Sequence, residues 1–253
     1  MNLGFIGIGK IASSAIRGIC TADINDIHLY LSPRSAENAT SLANQFDFVT
    51  KMEDNQQVVD RSTIVFIAVP PSQAESVLEG LRFREDHIVV SFVAFLSYDK
   101  LQQKVGPAVQ ISRAVPLPAV ELHTCPILVY KSYPAVTAIL EKIGQPLEVE
   151  SEAQLQVLWS LTGLIAPFYD LNKKLTDWAT GHGVDPAITG KYLMEFYRSL
   201  SSIGQRKEPI DFLELIKDAS TARGMNEQAL QMISQEQVHD AYVSAAETIL
   251  KRF

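Results

Sequence analysis

Cysteine is scarce in this chain of 253 residues: Cys20 and Cys125 are the two it has. They form no C-x-x-C pair, so neither a disulfide framework nor a thiolate metal site is written into the sequence. The five histidines (His28, His87, His123, His182 and His239) are scattered without an H-x-x-x-H pair, and no metal site is expected. No apolar run reaches the length of a membrane-spanning helix. A fold-forming pattern starts with the first residues, without the layout of a signal peptide, so the expectation is a cytoplasmic protein with no membrane partner. A basic excess is also missing. Lys and Arg number 22 against 29 Asp and Glu, a formal charge of −7, which argues against a general nucleic-acid binder. There is no internal repeat, low-complexity tract or long linker. What remains is a 47% hydrophobic composition with 20% charged residues, enough for a sizeable core in one large domain or two modest ones.

The most informative stretch is the first: Leu3-Gly4-Phe5-Ile6-Gly7-Ile8-Gly9-Lys10-Ile11-Ala12. A short apolar run meets two glycines one residue apart, and an apolar-periodic segment continues through Ile16 and Ile19. This predicts strand, tight turn and helix. Gly7 permits a sharp turn. Gly9 lacks a side chain, so a pyrophosphate can approach the backbone, and Ala12 lets the helix pack close to the strand. The N–H groups at the helix start, around Lys10 and Ile11, then face the ligand, and the helix dipole favours negative charge there. A lone G-x-G-x-x-A is also compatible with an ordinary glycine turn. Its position directly after the first strand favours dinucleotide binding.

Alternation of strands and helices follows. Strands are expected at Ile27–Leu31, Phe48–Thr50, Thr63–Val69, His87–Phe92, Val109–Ala114, Cys125–Tyr130 and Leu147–Glu150. Helices are expected at Ala36–Gln45, Asn55–Asp60, Tyr98–Lys104 and Ala135–Ile143, and one after Pro70-Pro71, capped by Ser72 with Glu75 completing a capping box. Such alternation implies an α/β fold, a Rossmann-type doubly wound parallel sheet with right-handed crossovers. The pattern changes at Ser151, beyond which no strand is evident. Residues 1–150 are therefore read as a dinucleotide-binding domain and 151–253 as an all-α domain for dimerisation and substrate. Ser151 and Gln154 form a capping box for a long helical segment reaching about Ala179. Asp185-Pro186 caps a helix that Gly204 ends. Pro209–Lys217, Glu227–Ile233 and Gln235–Lys251 complete the set. Leu155, Leu158, Leu161 and Ile165 make an apolar stripe that is either core or a dimer face.

The end of the second strand selects the cofactor. An NAD enzyme usually carries a carboxylate there to bond the ribose hydroxyls. Here the residues are Ser32-Pro33-Arg34-Ser35: nothing repels a 2′-phosphate, and Arg34 can clamp it bidentately, helped by the serines. NADP(H) is favoured, with NAD the alternative.

These residues resemble the pyrroline-5-carboxylate reductase family. The amino-terminal G-x-G-x-x-A, the Ser-Pro-Arg-Ser loop and Asp54-Asn55 fit its cofactor half, in which the asparagine lies by the adenosine ribose. Ala68-Val69-Pro70-Pro71 resembles the family's Ala-Val-Lys-Pro, and Arg113-Ala114-Val115-Pro116 its Arg-x-Met-Pro, though Leu117-Pro118 replaces Asn-Thr. Leu161-Thr162-Gly163-Leu164-Ile165-Ala166-Pro167 stands for Ser-Gly-Ser-Gly-Pro-Ala. Ala222-Arg223-Gly224-Met225-Asn226 stands for the Pro-Gly-Gly-Thr-Thr loop that holds the substrate carboxylate. One glycine and both threonines are gone, so Gly224, Met225 and Asn226 are the substrate-binding candidates of a divergent member. The resemblance implies reduction of a small cyclic imine, a reaction of the proline-biosynthesis type, in a homodimer or larger assembly.

In such a reductase the cofactor carries the hydride while the protein supplies orientation and electrostatics. A cyclic imine that is protonated before it binds needs no dedicated acid. Candidate donors are Tyr169 and Asp170. In the similar imine reductases and β-hydroxyacid dehydrogenases, the equivalent helix position faces the nicotinamide. Lys173, four residues on, shares a face with Tyr169, where an ammonium would favour the phenolate. Pro70-Pro71 either walls the nicotinamide pocket or stops the strand, and Phe92 and Phe95 either cover the cofactor or join the core. Two other readings stay open: a β-hydroxyacid-type dehydrogenase reducing a carbonyl, and a non-catalytic NADP-binding sensor or partner protein.

Overall fold

The computed structural model describes every residue except Lys207 and divides the chain into two compact units, Met1–Trp159 with Phe253, and Ser160–Arg252.

The first unit is built on eight strands: β1 (Asn2–Ile6), β2 (His28–Leu31), β3 (Val49–Lys51), β4 (Ile64–Ile67), β5 (Ile88–Ser91), β6 (Gln110–Val115), β7 (Cys125–Tyr130) and β8 (Gly144–Val149). Their order is β3-β2-β1-β4-β5-β6-β7-β8. Helices α1 (Lys10–Thr21), α2 (Ala36–Gln45), α3 (Asn55–Arg61), α4 (Pro71–Glu79), α5 (Tyr98–Val105) and α6 (Pro134–Ile143) connect them. Chain order reverses between β1 and β4, which makes that crevice the switch point where ligands of open α/β sheets bind.

Strand alternation sends side chains to two cores. Leu3, Phe5, Leu29, Leu31, Ile64 and Phe66 pack with α1 and α2 on one face. Ile6, Val65, Ile67, Val89 and Ile111 pack with α3, α4 and α5 on the other. Phe5 and Phe66 stack with centroids 4.6 Å apart. Complete burial of each such side chain contributes about 1.5–3 kcal/mol, and covering both faces is what a parallel sheet requires.

The sheet departs from the all-parallel expectation at one place: β7 runs antiparallel to β6, pairing Ala114 with Val129. The link from Val115 to Cys125 carries only a 3-10 turn, Pro118–Leu122. A parallel return needs a crossover of a dozen or more residues, usually a helix. The capping box proposed at Ser72 is also absent. Pro70 is the N-cap and Pro71 the first helical residue of α4, with no side-chain cap, so Ser72 already lies inside the helix.

The division falls after Trp159, not at Ser151. Helix α7 (Glu152–Ser160) goes with the sheet because Glu152 accepts from the Tyr98 N–H at 2.6 Å and pairs with Arg113. Its start is capped as expected, with Gln154 N–H on the Ser151 hydroxyl at 3.2 Å. Within the helical segment expected to reach about Ala179, a 3-10 turn at Leu161–Leu164 separates α7 from the next helix.

The second unit holds α8 (Ile165–Gly181), α9 (Pro186–Gly204), α10 (Phe212–Ala219), α11 (Met225–Gln235) and α12 (Val238–Leu250). Asp185 caps α9 by accepting from the N–H groups of Ala187 and Ile188. Asp211 caps α10 in the same way, so that helix starts past Pro209. Gln237 adopts a left-handed conformation between α11 and α12.

Candidate functional site

The amino-terminal turn is held from both sides. The Gly7 N–H donates to the Ser32 hydroxyl at 2.8 Å, and the Ala68 N–H donates to the Ile6 carbonyl at 2.8 Å. Gly7 has φ +92°, and a Cβ there would lie 2.8 Å from the Ala68 carbonyl and from Val69 Cγ1. Any side chain is therefore excluded by both strain and contact. Gly9 differs. It is extended backbone, and a Cβ built on it meets nothing within 4 Å. It caps α1 without a side-chain hydrogen bond, and no acidic residue occupies the first turn. The leading N–H groups of α1, from Lys10 and Ile11 onward, are thus donors beside open space, which is what a pyrophosphate needs. The residues present fit a nicotinamide dinucleotide.

Ser32, Ala68 and Val69 touch this turn; Arg34 follows β2, Asn55 opens α3 after β3, and Pro70 caps α4 after β4. Their roles divide. Ser32 is buried, its hydroxyl holding Gly7. Arg34 is exposed, and its Nη1 donates to Gln73 Oε1 at 2.9 Å. Asp54 caps α3 by accepting from the Gln57 N–H at 2.8 Å, which places Asn55 half-buried at the first helical position. Pro70 and Pro71 open α4 three residues after β4 has ended. Two participants escaped the sequence reading: Gln73, and Asn38 on α2, whose amide donates to the Ile8 carbonyl inside the turn at 2.8 Å. Neither belongs to the glycine motif, and nothing local marks them.

Phe92 packs on Phe66, centroids 5.4 Å apart, and so joins the core. Phe95 is exposed in a left-handed conformation, φ +63°, and lies 4.7 Å from the ring of Phe253. Beside it Arg113 is 1% exposed. Arg113 pairs with Glu152, donates through Nη2 to the Val93 carbonyl at 3.2 Å and lies 5.3 Å over the Trp159 ring. Burial pushes its pKa below the ordinary arginine value, and Glu152 opposes that shift. Arg113 thus ties β6 to α7 and the loop after β5. A cavity of about 160 Å³ lined by Phe95, Ser97, Lys100, Gln156, Arg113 and Phe253 adjoins it.

In the second unit Tyr169 is 60% exposed, edge-on to Phe168 at 5.4 Å. The neighbouring ammonium does not serve it. Lys173 Nζ bonds Asp177 at 2.6 Å, and that bond holds the lysine pKa above its ordinary value. The expected phenolate-favouring Lys173 is therefore corrected: the amine faces the next turn of α8, where a carboxylate competes for it. Asp170 lies 3.8 Å from Lys174 and helps line an apolar groove of about 320 Å³ between α8 and α12, walled by Leu164, Pro167, Leu171, Ala241, Tyr242 and Ala245. Gly224 caps α11 without a side-chain bond. Arg223, in the place of the first glycine of Pro-Gly-Gly-Thr-Thr, keeps a left-handed φ of +63°. Its N–H donates to Glu227 at 2.6 Å, the Asn226 amide donates to the Ala219 carbonyl at 2.8 Å, and Met225 is 87% exposed. A carboxylate of the chain itself thus sits at this helix start. Among the described residues, no helix is long and apolar enough to cross a membrane.

Comparisons with known proteins agree with this geometry. The family described as NADP oxidoreductase, coenzyme F420-dependent, matches residues 2–95. A pyrroline-5-carboxylate reductase of Corynebacterium melassecola is 22% identical over 99% of this chain and 97% of its own length. The solved pyrroline-5-carboxylate reductase of Streptococcus pyogenes superposes with a TM-score of 0.86 at 19% identity, covering 100% of this chain and 97% of that one. The Plasmodium falciparum pyrroline carboxylate reductase, solved with NADP bound, gives 0.85 at 19% identity, covering 100% and 96%.

Proposed function

We propose that the chain is a divergent member of the pyrroline-5-carboxylate reductase family and an NADPH-dependent reductase of a small cyclic imine. The observation that carries the reading is the row of backbone donors at Gly9 and the start of α1, with no acidic side chain in that turn, beside an arginine loop without a carboxylate. Bound NADPH supplies the hydride. The chain supplies position. Backbone amides of α1 take the pyrophosphate, Ser32 and Ala68 keep the turn closed behind it, and Arg34 takes the 2′-phosphate. Asn55 and the Ala68–Pro70 loop would hold the adenosine ribose and the nicotinamide end.

Tyr169 is the proposed proton donor to the imine nitrogen, with Asp170 the second candidate. Gly224, Met225 and Asn226 form the proposed substrate loop. Glu227 at that helix start disfavours a substrate carboxylate by like charge, and Met225 and Asn226 stand where the family has its two threonines. The reading therefore extends to cyclic imines with a weaker demand for a carboxylate than pyrroline-5-carboxylate makes. A homodimer is part of it: α10, α11 and α12 contain no buried residue, although Phe212, Leu213, Met225 and Val243 are apolar and exposed. A second copy would cover them. A cytoplasmic location fits the two free cysteines.

The test is NADPH oxidation with a panel of cyclic imines, carboxylated and not, alongside 2-keto acids. Turnover of imines supports the reading. Turnover of carbonyls alone makes the chain a β-hydroxyacid-type dehydrogenase, and tight cofactor binding without turnover makes it a sensor. Tyr169→Phe is expected to lower kcat by about 10²-fold, the range of a lost general acid. Unchanged turnover removes Tyr169 from the mechanism.

A further inference from the structure

We infer that Gln73 is a positioning residue that presets Arg34 for the 2′-phosphate, and so sets the preference for NADPH over NADH. This rests on the proposed function. Arg34 leaves the end of β2 and Gln73 stands in the first turn of α4, just past β4. β1 lies between those strands in the sheet. The Arg34–Gln73 bond of 2.9 Å therefore joins the two loops that already grip Gly7 through Ser32 and Ala68, and it spans the crevice at the switch point.

The chemistry of the partner matters more than the contact. An exposed arginine has many rotamers, and ordering such a side chain on binding costs affinity. A carboxylate would order it but neutralise it. Other arginines of this chain are held that way: Arg84 by Asp86, Arg113 by Glu152, Arg198 by Glu195. Arg34 has no carboxylate partner among the described residues. The carboxamide oxygen of Gln73 takes one of its five donors and leaves the positive charge and the remaining fork for a phosphate. Gln73 is itself placed by its backbone, whose N–H donates to the Pro70 carbonyl at 2.9 Å. The two prolines that open α4 thus aim this glutamine, a use that neither walling a pocket nor ending a strand would give them.

The test is equilibrium titration of the full chain with NADP⁺ and with NAD⁺, read by calorimetry, for wild type, Gln73→Ala, Gln73→Glu, Arg34→Ala and the Arg34→Ala/Gln73→Ala double variant. Gln73→Ala should weaken NADP⁺ about three- to tenfold, the cost of one freed side chain, and leave NAD⁺ unchanged. Gln73→Glu should weaken NADP⁺ further by neutralising Arg34. In the Arg34→Ala background, loss of Gln73 should have no added effect. Equal weakening of both dinucleotides, an unchanged NADP⁺ affinity or a tighter one each overturns the inference while leaving the proposed function intact. Wild type that binds neither dinucleotide overturns the proposed function itself, and the role of Gln73 with it.

Discussion

The two units treat apolar surface in opposite ways. In the first, both faces of the sheet are sealed by helices, and strand side chains such as Leu3, Phe5, Ile64 and Phe66 are at most 2% exposed. In the second, the last three helices contain no fully buried residue, and Leu213 is 80% exposed. The first unit thus carries its own core on both faces of the sheet that forms the switch-point crevice. The second leaves apolar residues exposed where an isolated domain would carry charge, which is what the proposed homodimer would cover.

This contrast can be broken by paired substitutions. Phe5→Ala should cost about 3–5 kcal/mol of stability, the range for a buried aromatic, read from denaturant unfolding. Leu213→Ser should alter the stability of the monomer by no more than about 0.5 kcal/mol, yet weaken self-association at least about tenfold in sedimentation equilibrium. Equal costs at the two positions would erase the distinction. Within the first unit, Glu152→Ala should cost about 3 kcal/mol, the low end for a broken buried pair, because Arg113 stays buried while Glu152 keeps some contact with water. Loss limited to a few tenths would mean that Arg113 finds water on its own.

The smallest effect sharpens the same point through pH. His87 is fully buried, and its Nδ1 accepts from the Arg84 N–H at 3.0 Å while Nε2 has no partner. Burial first, then the charge of Arg84, holds its pKa below the ordinary histidine value. The unfolded chain therefore takes up this proton first on acidification. Its contribution to stability is complete above the ordinary histidine pKa and declines as pH falls from there toward the depressed folded value. His87→Gln should flatten that slope in unfolding measured between neutral and mildly acidic pH. An unchanged slope would assign the acid sensitivity to other groups.

What could be read beforehand was what is local in the chain. Period-2 and β-branched runs mark the strands, the glycines of residues 7 and 9 mark the turn, and Asp185-Pro186 marks the start of α9. What could not be read depends on partners far apart in sequence. Arg113 is a charged residue inside an apolar strand, and its reason, Glu152, comes from a helix whose own pattern groups it with the later segment. Gln73 is an unremarkable helix residue until β2 and β4 are set on either side of β1. The direction of β7 follows from how little chain precedes it, which matters more than its composition. Lys173 shares a face with Tyr169, as helical spacing predicts, but the same spacing also offers Asp177, and the opposite charge wins.

The central claim is that a phosphate-bearing dinucleotide docks on bare amides at Gly9. It is tested most directly by Gly9→Val, because a Cβ there has no protein atom within 4 Å and the side chain would stand in the ligand's space. The account predicts unfolding within about 1 kcal/mol of wild type, the scale of an altered N-cap, together with complete loss of the NADPH binding expected of wild type in calorimetry. A Gly9→Val protein that binds NADPH as wild type does would contradict it.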